Sequence, residues 1–306
     1  MQKPDSFVKT AILIAFLWFI TSPLSTVAQI VITAVQPADK ATLVNTGILK
    51  WSAPSGYVFD LYLGTSPNPP LYKPALSEME LKPVILALNS TYYWKIVGKK
   101  AGLDSICSKV FSFSTLPIQL NKKVPYSSCV DERDYKIYWT VNIGGKEWFA
   151  QNLDYELPEY SWYYQNNGNQ KVFGKLYLGA VLKDHMNSIC PQGWHIPAQT
   201  EWRALLDASG GIKTAGKDLK ESSSQYWQTS KNQGTNESGM TVLPAGSRDS
   251  KPEYSNLKKY TNFWSSTPNP QKPGMFTKYN LGFMRDQVIE EAGDPDWGYS
   301  IRCIRD

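Results

Sequence analysis

Only one stretch of the chain carries a sustained helical period. After Pro197, the residues Trp202, Leu205, Leu206 and Ser209 fall on one face, and Gly210-Gly211 closes the run. Elsewhere past the N-terminal segment the apolar residues recur at period two, in short runs cut by Gly, Pro, Asn and Ser. That pattern confines the chain to strand-rich architectures with many connections. Even the helix begins imperfectly. Ala198 stands three residues before Glu201, where a capping box has Ser or Thr, so the start is weaker than the spacing suggests.

Residues 30–117 read as strands with turn punctuation. Ile48-Leu49-Lys50-Trp51 is followed by Pro54-Ser55-Gly56, and Val58 to Leu63 alternates cleanly before Gly64-Thr65-Ser66-Pro67. Thr91 to Val97 alternates again, and Val110 to Thr115 ends the unit. Short strands at regular spacing over about 90 residues predict a two-sheet sandwich. "LKW" together with "LNSTYYW" (Leu88 to Trp94) resembles a fibronectin type III module. The resemblance implies that Trp51 packs between the sheets and that Tyr92 or Tyr93 ties down a corner.

Residues 118–128 are expected to form a linker, with paired lysines at Lys122 and Lys123. The texture then changes. Residues 129–306 carry eight tryptophans among Gly-, Asn- and Ser-rich loops. Tyr135 to Ile143 and Glu147 to Asn152 flank Gly144-Gly145 and read as a hairpin. Further motifs follow in order: "CPQGWHIPAQTEW", "TNESGMTVLPAGSR", "NFWSST" and the closing "SIRCIRD". With "DERDYKIYWTVNIGGKEWFAQNLDY", they resemble the Fibrobacter succinogenes major paralogous domain, a family abundant in exported proteins of Bacteroidota and Fibrobacterota. The resemblance covers about 175 residues and implies a C-type-lectin-like architecture shared with formylglycine-generating enzymes, but no established activity. The expected organisation is a fibronectin type III-like β-sandwich over 29–117 and an α+β, loop-rich, C-type-lectin-like domain over 129–306.

The same resemblance implies how the four cysteines are used. In lectin-like folds the last strand runs back beside early elements, so Cys190 is expected to bridge Cys303. Relatives often place a cysteine where this chain has Glu147, able to pair with one near the domain's start. Without it, Cys129 is left with Cys107 as its remaining partner.

The first 28 residues read as an export signal. Lys3 and Lys9 precede the apolar run Ala11 to Ile20, and Thr26-Val27-Ala28 offers small residues for cleavage. Ten apolar residues fall short of the roughly 20 that span a bilayer, although a short membrane anchor is the alternative. The mature chain is expected outside the cytoplasm, in the periplasm, at the cell surface or beyond, with no integral membrane segment. Lys and Arg number 8 against 5 acidic residues in 29–117, and 22 against 21 in 118–306. Such balance offers no basic stripe for nucleic acid.

Chemistry-bearing residues are few. His185 and His195 are the only histidines, and His195 with Glu201 is poor metal geometry, since a zinc site needs three or four convergent ligands. Ser265 and Ser266 lie in no Gly-x-Ser-x-Gly elbow. Asp294 and Asp296 share a tight turn, but calcium wants six or more oxygens. No cofactor is expected. The aromatic residues Trp162, Tyr163, Tyr226, Trp227 and Trp297 sit beside polar loops, a texture suited to stacking on sugars or to protein contacts. The expectation is a non-enzymatic binding protein for a glycan or surface protein. The alternatives are an enzyme related to formylglycine-generating proteins and a structural subunit of a surface layer or appendage.

Overall fold

The computed structural model describes residues 31–306. The export signal expected over residues 1–28 lies outside the described residues. No helix among the described residues is long and apolar enough to cross a membrane.

The first part is a sandwich of two β-sheets. Thr33–Gln36, Leu49–Ser52 and Glu80–Leu81 form the smaller sheet. The larger sheet runs Ala41–Val44, Phe111–Thr115, Thr91–Lys99, Val58–Gly64 and Leu71–Leu76, with Ile106–Cys107 paired to Thr91–Lys99. Alternation decides which side chains enter the core: Leu49 and Trp51 turn inward and Lys50 and Ser52 outward, and Phe59, Leu61 and Leu63 face them. Trp51 meets Phe59 edge-on at 5.6 Å, and the Tyr92 hydroxyl accepts the Ala87 N–H at 3.0 Å. Of the two adjacent tyrosines, Tyr92 is the one that bonds back to the segment before its strand.

The remaining residues build three more sheets and one substantial helix. Tyr126–Asp131, Lys136–Ile143 and Lys146–Phe149 form a meander extended by Ile304–Arg305 and Trp194–His195. Gly144 and Gly145 turn the expected hairpin with φ of 62° and 81°, the left-handed pair a two-residue turn requires. A second sheet orders Ser161–Trp162, Leu176–Leu178, Gly298–Tyr299, Ser247–Arg248 and Tyr254–Ser255. The third pairs Tyr260–Pro268, Phe276–Gly282 and Ile289–Gly293. The helix Gln199–Ala208 buries Trp202, Leu205 and Leu206 against Phe263 and Tyr279. Glu201 supplies its half of the cap, accepting the Ala198 N–H at 2.8 Å. The missing hydroxyl comes from elsewhere in the chain: Thr267 Oγ1 accepts the Gln199 N–H at 2.9 Å.

The segment read as a linker is packed on both sides. Leu116 and Ile118 are buried in a cluster with Phe173 and Tyr226, and the strand from Tyr126 begins inside the range 118–128. Tyr226 donates its hydroxyl to Pro117 O, and Asn121 Nδ2 reaches Asn236 O at 2.9 Å. Ile137 projects from the meander into the core of the sandwich, with its N–H on Asn45 O at 2.9 Å and Gly47 N–H on Tyr135 O at 2.7 Å. A Cβ on Gly47 would stand 2.6 Å from Val84 O, so only glycine permits this approach.

Candidate functional site

The signature around His195 is a tether. Cys190 and Cys303 form a disulfide, with Cα atoms 6.0 Å apart and both side chains buried. His195 pairs with Ile304 in the sheet. Its Nδ1 lies 2.6 Å from Asp306 Oδ1, and its Nε2 lies 3.0 Å from Glu201 Oε2, so the ring links the chain's end to the helix start. Among the described residues no group of three or more His, Cys, Asp or Glu is arranged to hold a metal ion. Asp294 Oδ1 accepts the Asp296 N–H at 3.0 Å, and Gly179 and Ala180 bond to the same turn.

The serines have framework roles too. Ser265 is fully buried, its Oγ accepting the Thr267 N–H at 3.2 Å, and Ser266 N–H donates to Pro197 O at 2.9 Å. His185 stands edge-on to Tyr160 at 5.1 Å. The second bridge does not form. Cys107 is exposed on the sandwich strand beside Val97, whereas Cys129 is half-buried opposite Tyr138 on a different sheet. Burial, with the charges of Asp131 and Glu147, pushes the Cys129 thiol up to about 11.

The five aromatic candidates separate into different environments. Tyr226 and Trp227 are interior side chains, 4% and 5% exposed, which corrects their placement on the surface. Each polar tip finds a carbonyl, Pro117 O for the phenol and Val242 O for the indole at 2.9 Å, so the polar loop carrying them folds inward without leaving a donor unpaired. Trp297 is half-buried against Tyr299 at 6.1 Å. Tyr163 lies under the Lys175 ammonium at 4.0 Å, and burial followed by the Asp154 carboxylate raises its phenol.

Trp162 differs from these. It is half-buried, paired with Leu176 at the edge of its sheet, and the Arg248 guanidinium lies over its ring at 4.1 Å. Gly298, between Arg248 and Leu176, leaves room for this approach: a Cβ there would come within 3.2 Å of Arg248 Cβ. Arg248 Nε is buried and bonds to no acceptor. Tyr254, opposite Arg248 on the neighbouring strand, reaches Asn166 Oδ1 at 3.4 Å. This part of the surface therefore brings together an indole, a guanidinium, a phenol and an amide. Sequence reasoning missed Arg248 and Tyr254, because pairing across strands brings them to Trp162 from more than eighty residues away. The only signal was a basic residue ending a Gly-Ser-Arg turn.

Comparison with known proteins gives one family. Residues 141–305 match the model of the Fibrobacter succinogenes major domain. No curated protein and no solved structure matches the chain. The matched residues run from the end of the first long strand to the tethered C-terminus and make up more than half of the chain, which belongs to the Fibrobacter succinogenes major domain family.

Proposed function

We propose that this chain is an exported, non-enzymatic binding protein: a fibronectin type III-like sandwich bearing a C-type-lectin-like head that recognises a glycan or protein at the cell surface. The observation that carries the reading is the Trp162–Arg248 pair. A half-buried indole under a guanidinium, with the Tyr254 phenol on the neighbouring strand, sets positive charge beside aromatic surface, a combination suited to recognition. The inter-sheet Trp51 and the Tyr92 corner support the fibronectin-like part. The disulfide and the return of Ile304 beside Trp148 support the lectin-like part. The same bridge engages the two cysteines at motif positions, and the other two thiols lie on different sheets, which argues against a copper-holding thiol pair.

Residues 29–306 should be screened against glycan and protein arrays with and without chelator. The expected result is binding that survives chelation and falls at least tenfold in both Trp162→Ala and Arg248→Ala. Absence of any binding would favour a structural subunit, loss on chelation would return the Asp294–Asp296 turn to consideration, and indifference to both substitutions would remove this surface.

A further inference from the structure

The packed connection between sandwich and head creates a feature that the sequence does not announce. Two depressions flank residues 119–122, about 360 Å³ on the sandwich side and about 250 Å³ on the side of the head, and both are lined by Gln119, Leu120 and Lys122. Trp139 stands in the wall of the first, half-buried. Its indole N–H points away to Leu86 O at 3.3 Å, so the ring remains as an apolar surface. Half-buried Leu88 extends that surface, buried Ile118 backs it, and the Asn89 side chain stands exposed at its rim. Ser222, Ser223 and Thr235 wall the second depression.

Charge is nearly absent from this groove. Lys122 is exposed, and the one carboxylate, Glu221, is occupied by Ser223, which donates its N–H at 2.9 Å and its hydroxyl at 3.0 Å. The groove is also fixed. Asn89 N–H bonds Leu116 O at 2.8 Å, Tyr226 holds Pro117, and Asn121 holds Asn236 O, so the connecting segment is bonded to both of its neighbours. A rigid cleft with an aromatic wall and neutral amide and hydroxyl rims matches one ligand chemistry. Pyranose rings have an apolar C–H face for an indole and an equator of hydroxyls that both donate and accept. Acidic chains find too little positive charge here, and a peptide finds no open sheet edge to pair with.

We propose that the groove along residues 119–122 is a binding site for a neutral oligosaccharide, with one sugar stacked on Trp139 and the chain crossing Gln119 toward Ser222. This site is separate from the Trp162–Arg248 surface and rests only on the reading of the chain as a binding protein.

The test is calorimetry on residues 29–306 with a panel of neutral hexasaccharides (α- and β-linked glucans, xylan and mannan), an acidic galacturonan hexamer, and a mixed-sequence peptide. Expected is measurable binding of at least one neutral chain, weakened tenfold or more in Trp139→Ala and threefold or more in Gln119→Ala, and unchanged in Trp162→Ala. Gln119 is exposed and makes no side-chain hydrogen bond among the described residues, so its variant decides the matter if Trp139→Ala fails to fold. Failure of every neutral chain to bind at millimolar concentration overturns the assignment, as does preferential binding of the acidic chain or the peptide. Neutral binding that ignores both groove variants also overturns it, while leaving the protein a glycan binder through another surface.

Discussion

Replacing Ile137 by alanine should destabilise the sandwich, although Ile137 belongs to the first long strand of the head. The side chain is 5% exposed and sits in the cluster that contains Trp51, Phe59 and Trp94. Its Cδ1 closes on Gly47, and its N–H reaches Asn45 O across the junction. Truncating a fully buried isoleucine to alanine costs roughly 2–5 kcal/mol, the upper part applying where the cavity cannot collapse. Here the surrounding side chains all belong to the sandwich core, which is held by its own sheets, so relaxation is restricted and about 3–4 kcal/mol is expected within that range. Chemical denaturation of residues 29–306 should show the loss as a lower midpoint with an unchanged slope, sandwich and head unfolding together. The complementary measurement is on residues 125–306 alone. That fragment exposes Ile137 and leaves Asp154 without the Asn45 amide and the Ile137 N–H without Asn45 O, so it should unfold well below the intact chain. A loss under about 1 kcal/mol for Ile137→Ala, below the lower bound for buried positions, would refute the reasoning. So would a head fragment as stable as the whole, because the junction would then be a contact and not a shared core.

Two further outcomes follow from the tether and the third sheet. The Cys190–Cys303 bridge spans 113 residues, and removing it with the pair Cys190→Ala and Cys303→Ala should cost about 4–5 kcal/mol on the chain-entropy estimate; a loss below about 1 kcal/mol in denaturation would contradict that account. Glu290 accepts from Arg203, Gln199 and Tyr279, and the Arg203 guanidinium first among these holds its carboxyl below the ordinary 4.5. A depressed folded pKa stabilises above the unfolded value and loses that contribution as pH falls through the folded one. The wild type should therefore lose stability more steeply than Glu290→Gln as pH is lowered from about 4.5, and parallel acid titrations of midpoint would count against it.

The sequence was most legible where local pattern and tertiary demand agree. Alternation placed Leu49, Trp51, Phe59 and Leu61 in a sandwich core, the Gly144-Gly145 pair marked its turn, and Trp202, Leu205 and Leu206 marked the buried face of the helix. It was least legible where composition stood in for geometry. Tyr226 and Trp227 lie in a run of Ser and Gln that reads as surface, yet their polar tips found carbonyls and the rings went inside. Residues 118–128 look like a linker because Pro117 and paired lysines precede Tyr126, but Ile118 alternates with exposed Gln119 and is buried. Cys107 and Cys129 were matched by elimination, which carries no information about sheets. Arg248 came into view only with the register that sets it opposite Gly298 and over Trp162.

What the motifs have in common is that they bond to one another. Thr267 of "NFWSST" caps the helix that begins in "CPQGWHIPAQTEW", and Asp306 of "SIRCIRD" holds its histidine. Arg302, fully buried and lowered to about 9 by that burial, donates to Met240 O and Thr241 O in "TNESGMTVLPAGSR" and to Phe149 O and Asn152 Oδ1 in the first motif. Four carbonyl-type acceptors take the place of a carboxylate, a costly arrangement that only a fixed frame can keep satisfied. Within that frame two motif side chains keep part of themselves at the surface: Trp139 lies half-buried in the wall of a groove, and Arg248 stacks on half-buried Trp162. On the binding reading proposed above, those two positions are where a ligand meets the chain.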